Sequence, residues 1–256
     1  MNKNNLLQKF LNITYRKLKK STRIKIIIIK DSLLNIKSYP FLIHHVLIIL
    51  FYGKVKKYCS FVINPQINEK LRTMINKNNY IEYRNGELLK LKNDELIING
   101  SINKGDIDLY KFDESLKKDL HDEIRLNISK WVKSPFTFVN IRIWTTKANA
   151  NNFGSNDFHV DGFYPGFLKI MIYPKGLNDN VGGFILNNNK FDNKKPGFCI
   201  GIRNSYDLHS GIPGKIYDKI SVEVTIMRSL INSPKLIPCH PDGRHFKRVL
   251  QPYLKK

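Results

Sequence analysis

Residues 167–202 read FLKIMIYPKGLNDNVGGFILNNNKFDNKKPGFCIGI. Three short β-rich runs, Phe167–Tyr173, Gly182–Leu186 and Gly197–Ile202, alternate here with stretches dense in Gly, Asn, Asp, Lys and Pro. β-Branched and aromatic side chains suit a pleated surface, and the intervening residue types supply turn conformations. Outward from this stretch, Phe138–Thr145 precedes it and Ile220–Met227 follows it with the same texture. Five short strands with no helical period between them predict an antiparallel sandwich or barrel. Gly182-Gly183 leads into a strand and opens no helix, which excludes a Rossmann or P-loop nucleotide site. The Asn runs 151–152 and 187–189 read as loop tips.

Upstream the period changes. Leu116, Leu120, Ile124 and Ile128 recur at i+4, Trp131 and Val132 close the stripe, and Ser134-Pro135 stops it. Asp113 can cap this helix, which is expected over 113–132 as a core-packing element, with His121 on its surface. Residues 86–99, GELLKLKNDELIIN, give two apolar–polar alternations around Asn93-Asp94 and predict a hairpin there.

The 256 residues carry a net charge of +22, and lysine outnumbers arginine 33 to 10. Recognition of phosphates and bases favours the planar arginine fork, so a lysine excess accompanied by abundant Ile and Asn reads as AT-rich coding. Residues 1–60 hold 13 basic side chains and one acid, Asp31, whereas residues 61–165 are nearly balanced. Residues 1–40 contain only Phe10, Tyr15 and Tyr39 as aromatics, which argues against nucleic acid as partner. The apolar stretches Ile26–Ile29 and Phe41–Tyr52 are too short to span a bilayer, and Lys30, Asp31 and Lys54 stand where a signal peptide needs small residues. Two readings stay open for them: a strand and a helix packed on the main domain, or an interfacial helix on an anionic membrane with Lys54, Lys56 and Lys57 beside it. The expected location is cytoplasmic, with peripheral membrane contact through residues 1–60 open. The odd number of cysteines (Cys59, Cys199 and Cys239) excludes a disulfide scaffold and suits a reducing compartment. Adjacent His44-His45 do not share a face, and Cys239-His240 with His245 lack the second pair of a zinc set.

The chemistry concentrates in Phe158-His159-Val160-Asp161-Gly162. In an extended segment residues i and i+2 face one way, so His159 and Asp161 can meet one ion. Fifty residues on, Asn204-Ser205-Tyr206-Asp207-Leu208-His209-Ser210-Gly211 supplies a distant imidazole. Two histidines and one carboxylate are the set that holds iron(II) on one face and leaves the other open. Lys219, ten residues past His209, is a candidate cation for an acidic cosubstrate, with Lys169 and Arg228 as alternatives. Asn140, Arg142 and Trp144 share one face of the first strand, either lining a pocket or forming an outward polar row.

The order HVD, strand, Gly-Gly, β-run, NSYDLHSG and KISVEVT resembles the iron(II)/2-oxoglutarate-dependent dioxygenases, nearest the phytanoyl-CoA and prolyl hydroxylase-like branches, over residues 136–230. That resemblance implies an α+β, mainly β chain: a double-stranded β-helix (jelly roll, cupin-like) with N-terminal supporting helices. Its divisions would be a basic segment 1–60, open as a helical appendage; an α/β support 61–135; the catalytic core 136–231; and a tail 232–256. It implies His159, Asp161 and His209 as catalytic iron ligands. Lys219 would take the place of the basic residue that holds the far carboxylate of 2-oxoglutarate, where arginine is the commoner type. The implied activity is an oxidoreductase (dioxygenase, hydroxylase) using Fe(2+), 2-oxoglutarate and O2 on a small-molecule or conjugated substrate. The loops 147–157 and 162–166 would shape its entrance. The rival readings are a metal-free jelly-roll module binding a glycan or other ligand, and a peripheral protein of anionic membranes.

Overall fold

The computed structural model describes residues 39–77, 81–84, 87–90, 103–105, 114–146, 148–150, 158–161, 166–204 and 206–230. Ile26–Ile29, the Asn93-Asp94 turn, Asp113, Asn151-Asn152 and the Cys239–His245 tail lie outside them. The elements in order are helix α1 (Tyr39–Tyr52), β1 (Cys59–Val62), α2 (Pro65–Lys77), β2 (Ile81–Arg84), β3 (Glu87–Lys90), β4 (Asn103–Gly105), α3 (Glu114–Val132), β5 (Phe136–Thr146), β6 (Phe167–Tyr173), β7 (Gly182–Leu186), β8 (Asn189–Phe191), β9 (Phe198–Ile202), β10 (His209–Pro213) and β11 (Lys219–Arg228).

Strands from Phe136 onward are divided between two sheets, β5, β6, β9 and β11 in one and β7, β8 and β10 in the other. The larger has the order β1-β9-β6-β11-β5-β4, and the smaller has β10-β7-β8. Residue His159 bridges antiparallel to His209, adding the segment between β5 and β6 to the free side of β10. All these pairings are antiparallel. The chain therefore winds as two interleaved ribbons, a double-stranded β-helix, as expected.

Each face of the larger sheet has its own partner. Ile141, Ile143, Ile170, Ile172, Val222 and Val224 pack outward against Leu116, Leu120, Ile124 and Ile128 of α3 and Leu71 of α2. On the other face Tyr173, Phe198, Ile200 and Ile202 meet Phe184, Leu186 and Phe191 of the smaller sheet. Period-2 alternation thus fills both the helix layer and the barrel interior. Gly201 lets α3 approach: a Cβ there would stand 2.7 Å from both Cys59 Sγ and Trp131 Cζ3.

Two local expectations change. His121 is buried, with its Nε2 3.4 Å from the Phe136 carbonyl and its ring against Phe136 and Phe138. It flanks Leu120 and Ile124 on a core face that is wider than the i+4 row alone suggests. Among the described residues Glu87–Lys90 pairs antiparallel with Ile81–Arg84, while the expected Asn93-Asp94 turn lies outside them. The two extra strands β8 and β10 arise where turn chemistry conceals them. Asn187 and Asn188 both adopt left-handed backbone (φ 47° and 70°), closing a two-residue hairpin that pairs Leu186 with Asn189.

Helix α2, whose stripe Ile67, Leu71, Met74 and Ile75 faces the core, is capped by Asn64: its Oδ1 accepts from Gln66 N at 2.8 Å, and Pro65 opens the first turn. Residue 60 falls inside β1, whose residues Cys59–Val62 pair with β9 in the larger sheet.

Candidate metal centre

The mouth of the β-helix is where the short segment 158–161 meets the start of β10. His159 N donates to His209 O at 3.0 Å, His209 N returns a bond to His159 O at 2.9 Å, and Asp161 N donates to Asn204 O at 3.1 Å. These main-chain bonds fix three side chains from two distant stretches of sequence. Ligand-type atoms of His159, Asp161 and His209 all lie within 4.8 Å of one another. His159 Nε2 stands 3.5 Å from Asp161 Oδ1, and His209 Nε2 stands 3.7 Å from Asp161 Oδ2.

His209 arrives with its tautomer set. Its Nδ1 is 2.9 Å from the Asp207 carbonyl, an oxygen that can only accept. The proton therefore sits on Nδ1, and the Nε2 lone pair faces Asp161. Burial pushes the imidazole down to about 4, against the pull of Asp161 and with help from the Lys169 and His159 charges, so the ring is neutral at physiological pH. The Asp207 carboxylate is itself clamped: Arg203 donates from its backbone N (2.9 Å), Nε (3.2 Å) and Nη2 (2.6 Å).

Asp161 is an anion. Burial alone would raise its pKa, but the Lys169 ammonium, followed by His209 and His159, holds it well below the usual carboxylate range. Lys169 Nζ on β6 hydrogen-bonds Asp161 Oδ2 and lies 3.1 Å from Glu223 Oε2 on β11. Burial opposes that charge, yet the two carboxylates more than offset it and raise the lysine pKa. Glu223 Oε1 is buried without a hydrogen-bond partner, as are both amide atoms of Asn204.

Lys219 differs in kind. It is buried at the start of β11, and its Nζ donates to the carbonyls of Gly183 (3.0 Å) and Ile212 (2.8 Å), which are register partners on β7 and β10. Burial drives its pKa down to about 7, and no carboxylate opposes the shift. Ile212 lies three residues beyond His209 on β10, a distance of about 10 Å along a strand. Alternation on β11 places positions 219, 221, 223 and 225 on one side, opposite the outward-packed Val222 and Val224. Arg228 belongs elsewhere: its Nε donates to Ser134 Oγ (3.0 Å) and its Nη1 to Gly53 O (2.9 Å), at the C-terminal end of α1.

Asn140, Arg142 and Trp144 register opposite Thr225, Glu223 and Ser221 on β11, and their side chains lie outside the described set. So do the loops 151–157 and 162–165. Sequence reasoning did not mark Arg203, Asp207 or Glu223 as part of this site. For Asp207 the signal was its place two residues before His209 in a run of turn-forming residues. Glu223 and Lys169 required the pairing of β11 with β6, which no spacing supplies.

Interleaved sheets with a His-x-Asp…His cluster at the mouth define a double-stranded β-helix bearing a 2-His-1-carboxylate constellation. No protein-family model and no curated protein matches the chain. Among solved structures it is similar to a viral collagen prolyl hydroxylase from Paramecium bursaria chlorella virus-1, in complex with 2OG, at 18% identity over 68% of this chain and 97% of that one, TM-score 0.47. It is similar to HygX from Streptomyces hygroscopicus with nickel and 2-oxoglutarate bound, at 10% identity over 72% and 87%, TM-score 0.45. A Pseudomonas putida prolyl-4-hydroxylase matches at 12% identity over 72% and 98%, TM-score 0.43.

Proposed function

We propose that this chain is a non-haem iron(II)- and 2-oxoglutarate-dependent dioxygenase that hydroxylates a small-molecule or conjugated substrate. The observation that carries the reading is the convergence of His159, Asp161 and His209, their ligand atoms within 4.8 Å, on a preset His209 tautomer. His159, Asp161 and His209 Nε2 would hold the metal. Lys219 would hold the distal carboxylate of 2-oxoglutarate, because it is a buried cation with no carboxylate of its own. When bound, iron(II) with 2-oxoglutarate and O2 supplies the oxidising power: the keto acid leaves as succinate and CO2, one oxygen atom entering succinate and the other the substrate C–H bond.

The protein's own residues prepare that chemistry. Asp161 stays ionised and offsets metal charge, while Lys169 occupies one of its oxygens and leaves the other for the ion. Arg203 and Asp207 fix the loop that aims His209. Phe184 packs against the His209 ring at 5.9 Å and keeps water from that flank.

Anaerobic titration of the apoprotein with iron(II) and 2-oxoglutarate tests the reading. A weak visible charge-transfer band from the keto acid on a facial-triad iron is expected in the wild type and absent from His159→Ala. A folded protein that retains no iron and gives no band overturns it in favour of a metal-free binding module.

A further inference from the structure

Helix α1 carries apolar side chains all round, and the structure sorts them by face. Ile48 is fully buried, and Ile49 and His45 turn toward the main domain. Ile43, Val46, Leu47, Leu50 and Phe51 are 37–74% exposed. Their spacing is i, i+3, i+4, i+7, i+8, one continuous stripe along a helix. An amphipathic surface helix ordinarily turns such a stripe inward, and contiguous exposed apolar surface marks an interaction site.

This stripe is held outward by a firm attachment. Gly53 closes the helix with φ 71°, its N donating to Ile49 O at 2.8 Å. Arg228 then grips the Gly53 carbonyl from the end of β11. Fourteen residues make a helix about 21 Å long, short of the ~30 Å hydrocarbon core of a bilayer, and no helix among the described residues is long and apolar enough to cross a membrane. An apolar stripe of this length suits a position lying in the interface plane.

The surroundings select the charge of that interface. No acidic residue occurs between Asp31 and Glu69, and Lys54, Lys56 and Lys57 follow the helix with exposed side chains. Beneath α1 a pocket of about 200 Å3 is lined by His45, Lys54, Arg203, Tyr206 and Arg228 among others. The Arg228 Nη2 there is buried without a hydrogen-bond partner, and no acid among the lining residues neutralises its charge.

We infer that α1 is a docking face for an anionic phospholipid bilayer: the stripe enters the headgroup boundary, and Lys54, Lys56 and Lys57 meet lipid phosphates and carboxylates. Cosedimentation of the full chain with vesicles tests this, comparing phosphatidylcholine alone with phosphatidylcholine plus phosphatidylserine. Binding to the mixed vesicles is expected to exceed binding to the neutral ones by ~10-fold or more at low salt and to weaken as salt rises. Leu50→Glu/Phe51→Glu, at two exposed positions, should abolish binding with an unchanged melting temperature. Lys54→Glu/Lys56→Glu/Lys57→Glu should remove the preference for phosphatidylserine. Excess inorganic phosphate should not compete; full competition would mean a bare oxyanion site and overturn the bilayer. Binding that survives Leu50→Glu/Phe51→Glu overturns the proposal. So does a dimer in light scattering that this variant dissolves, with no vesicle binding, which would make a second copy the occupant.

Discussion

His209 Nδ1 donates to the main-chain carbonyl of Asp207 at 2.9 Å, so the ring that completes the metal constellation is aimed by its own chain two residues upstream. The Asp207 carboxylate is pinned by three bonds from Arg203. Asp207→Ala should therefore leave all three ligands present but loosen one. Removing such an outer support lowers metal affinity by about 10–100-fold. Iron(II) titration monitored by a competing chelator checks this, and an unchanged affinity would show that the turn holds without its carboxylate.

Acid should destabilise the metal-free protein in a defined window. The folded-state pKa of His209 lies at about 4, below its ordinary 6.5, so between those values the unfolded chain binds more protons at this site than the native one. Stability due to the neutral ring is full above 6.5 and declines as pH falls toward 4. Asp161, depressed by Lys169, works in the same direction at lower pH, its contribution being lost as pH falls through its folded value. Urea midpoints between pH 8 and 4 should fall with acid, and His209→Asn should flatten the upper part of that slope.

Lys219 predicts proton uptake linked to the cosubstrate. Its folded pKa of about 7, lowered by burial, leaves a large neutral fraction at pH 8. A carboxylate placed beside the ammonium would favour the charged form. Calorimetry of 2-oxoglutarate binding at pH 8, in buffers of different ionisation enthalpy, should report uptake of a fraction of a proton. Affinity should fall as pH rises above 7. Lys219→Arg should keep binding without the proton, since guanidinium stays charged. Equal enthalpies in all buffers for the wild type would remove Lys219 as the anchor.

The sheet strands were legible because β-branched and aromatic runs broken by Gly, Asn and Pro leave little else for Phe136–Arg228 to become. His159-x-Asp161 was legible because two residues of an extended segment share a face. Lys169 was legible only as a charge: its contact with Asp161 and Glu223 depends on β6 lying beside β11, a non-local pairing. His121 was misplaced because a polar residue one step from an i+4 row reads as surface, whereas the Phe136 and Phe138 rings widen that core. Helix α2 was legible but not read: Ile67, Leu71, Met74 and Ile75 fall at i, i+4, i+7 and i+8 and face the core.

Gly201→Ala should separate packing from chemistry. Its Cβ would press on Cys59 Sγ and Trp131 Cζ3 at 2.7 Å, both held between β9 and α3. Overpacking of this kind costs about 1–3 kcal/mol. The site faces the helix layer and not the barrel interior, so iron affinity should stay at the wild-type value while the urea midpoint falls. A loss of both together would mean that α3 and the metal centre move as one.

The buried line Asp161–Lys169–Glu223 yields the sharpest contrast. Lys169→Met removes the only cation among the described residues that bonds Glu223, leaving a carboxylate buried on β11 with both oxygens unpaired. Breaking a buried pair from one side costs about 3–5 kcal/mol, largely for the stranded charge. Lys169→Met/Glu223→Gln removes that charge and should recover the part of the loss that belongs to Glu223, the part owed to Asp161 remaining; a double-mutant cycle reads the coupling directly. Asp161 loses Lys169 in both variants and keeps its Oδ1 beside His159 Nε2. Iron(II) binding should therefore survive in the double variant, with altered affinity because the second oxygen of Asp161 is no longer held. If the single variant is as stable as the wild type, the Lys169–Glu223 contact contributes nothing and the lysine serves Asp161 alone.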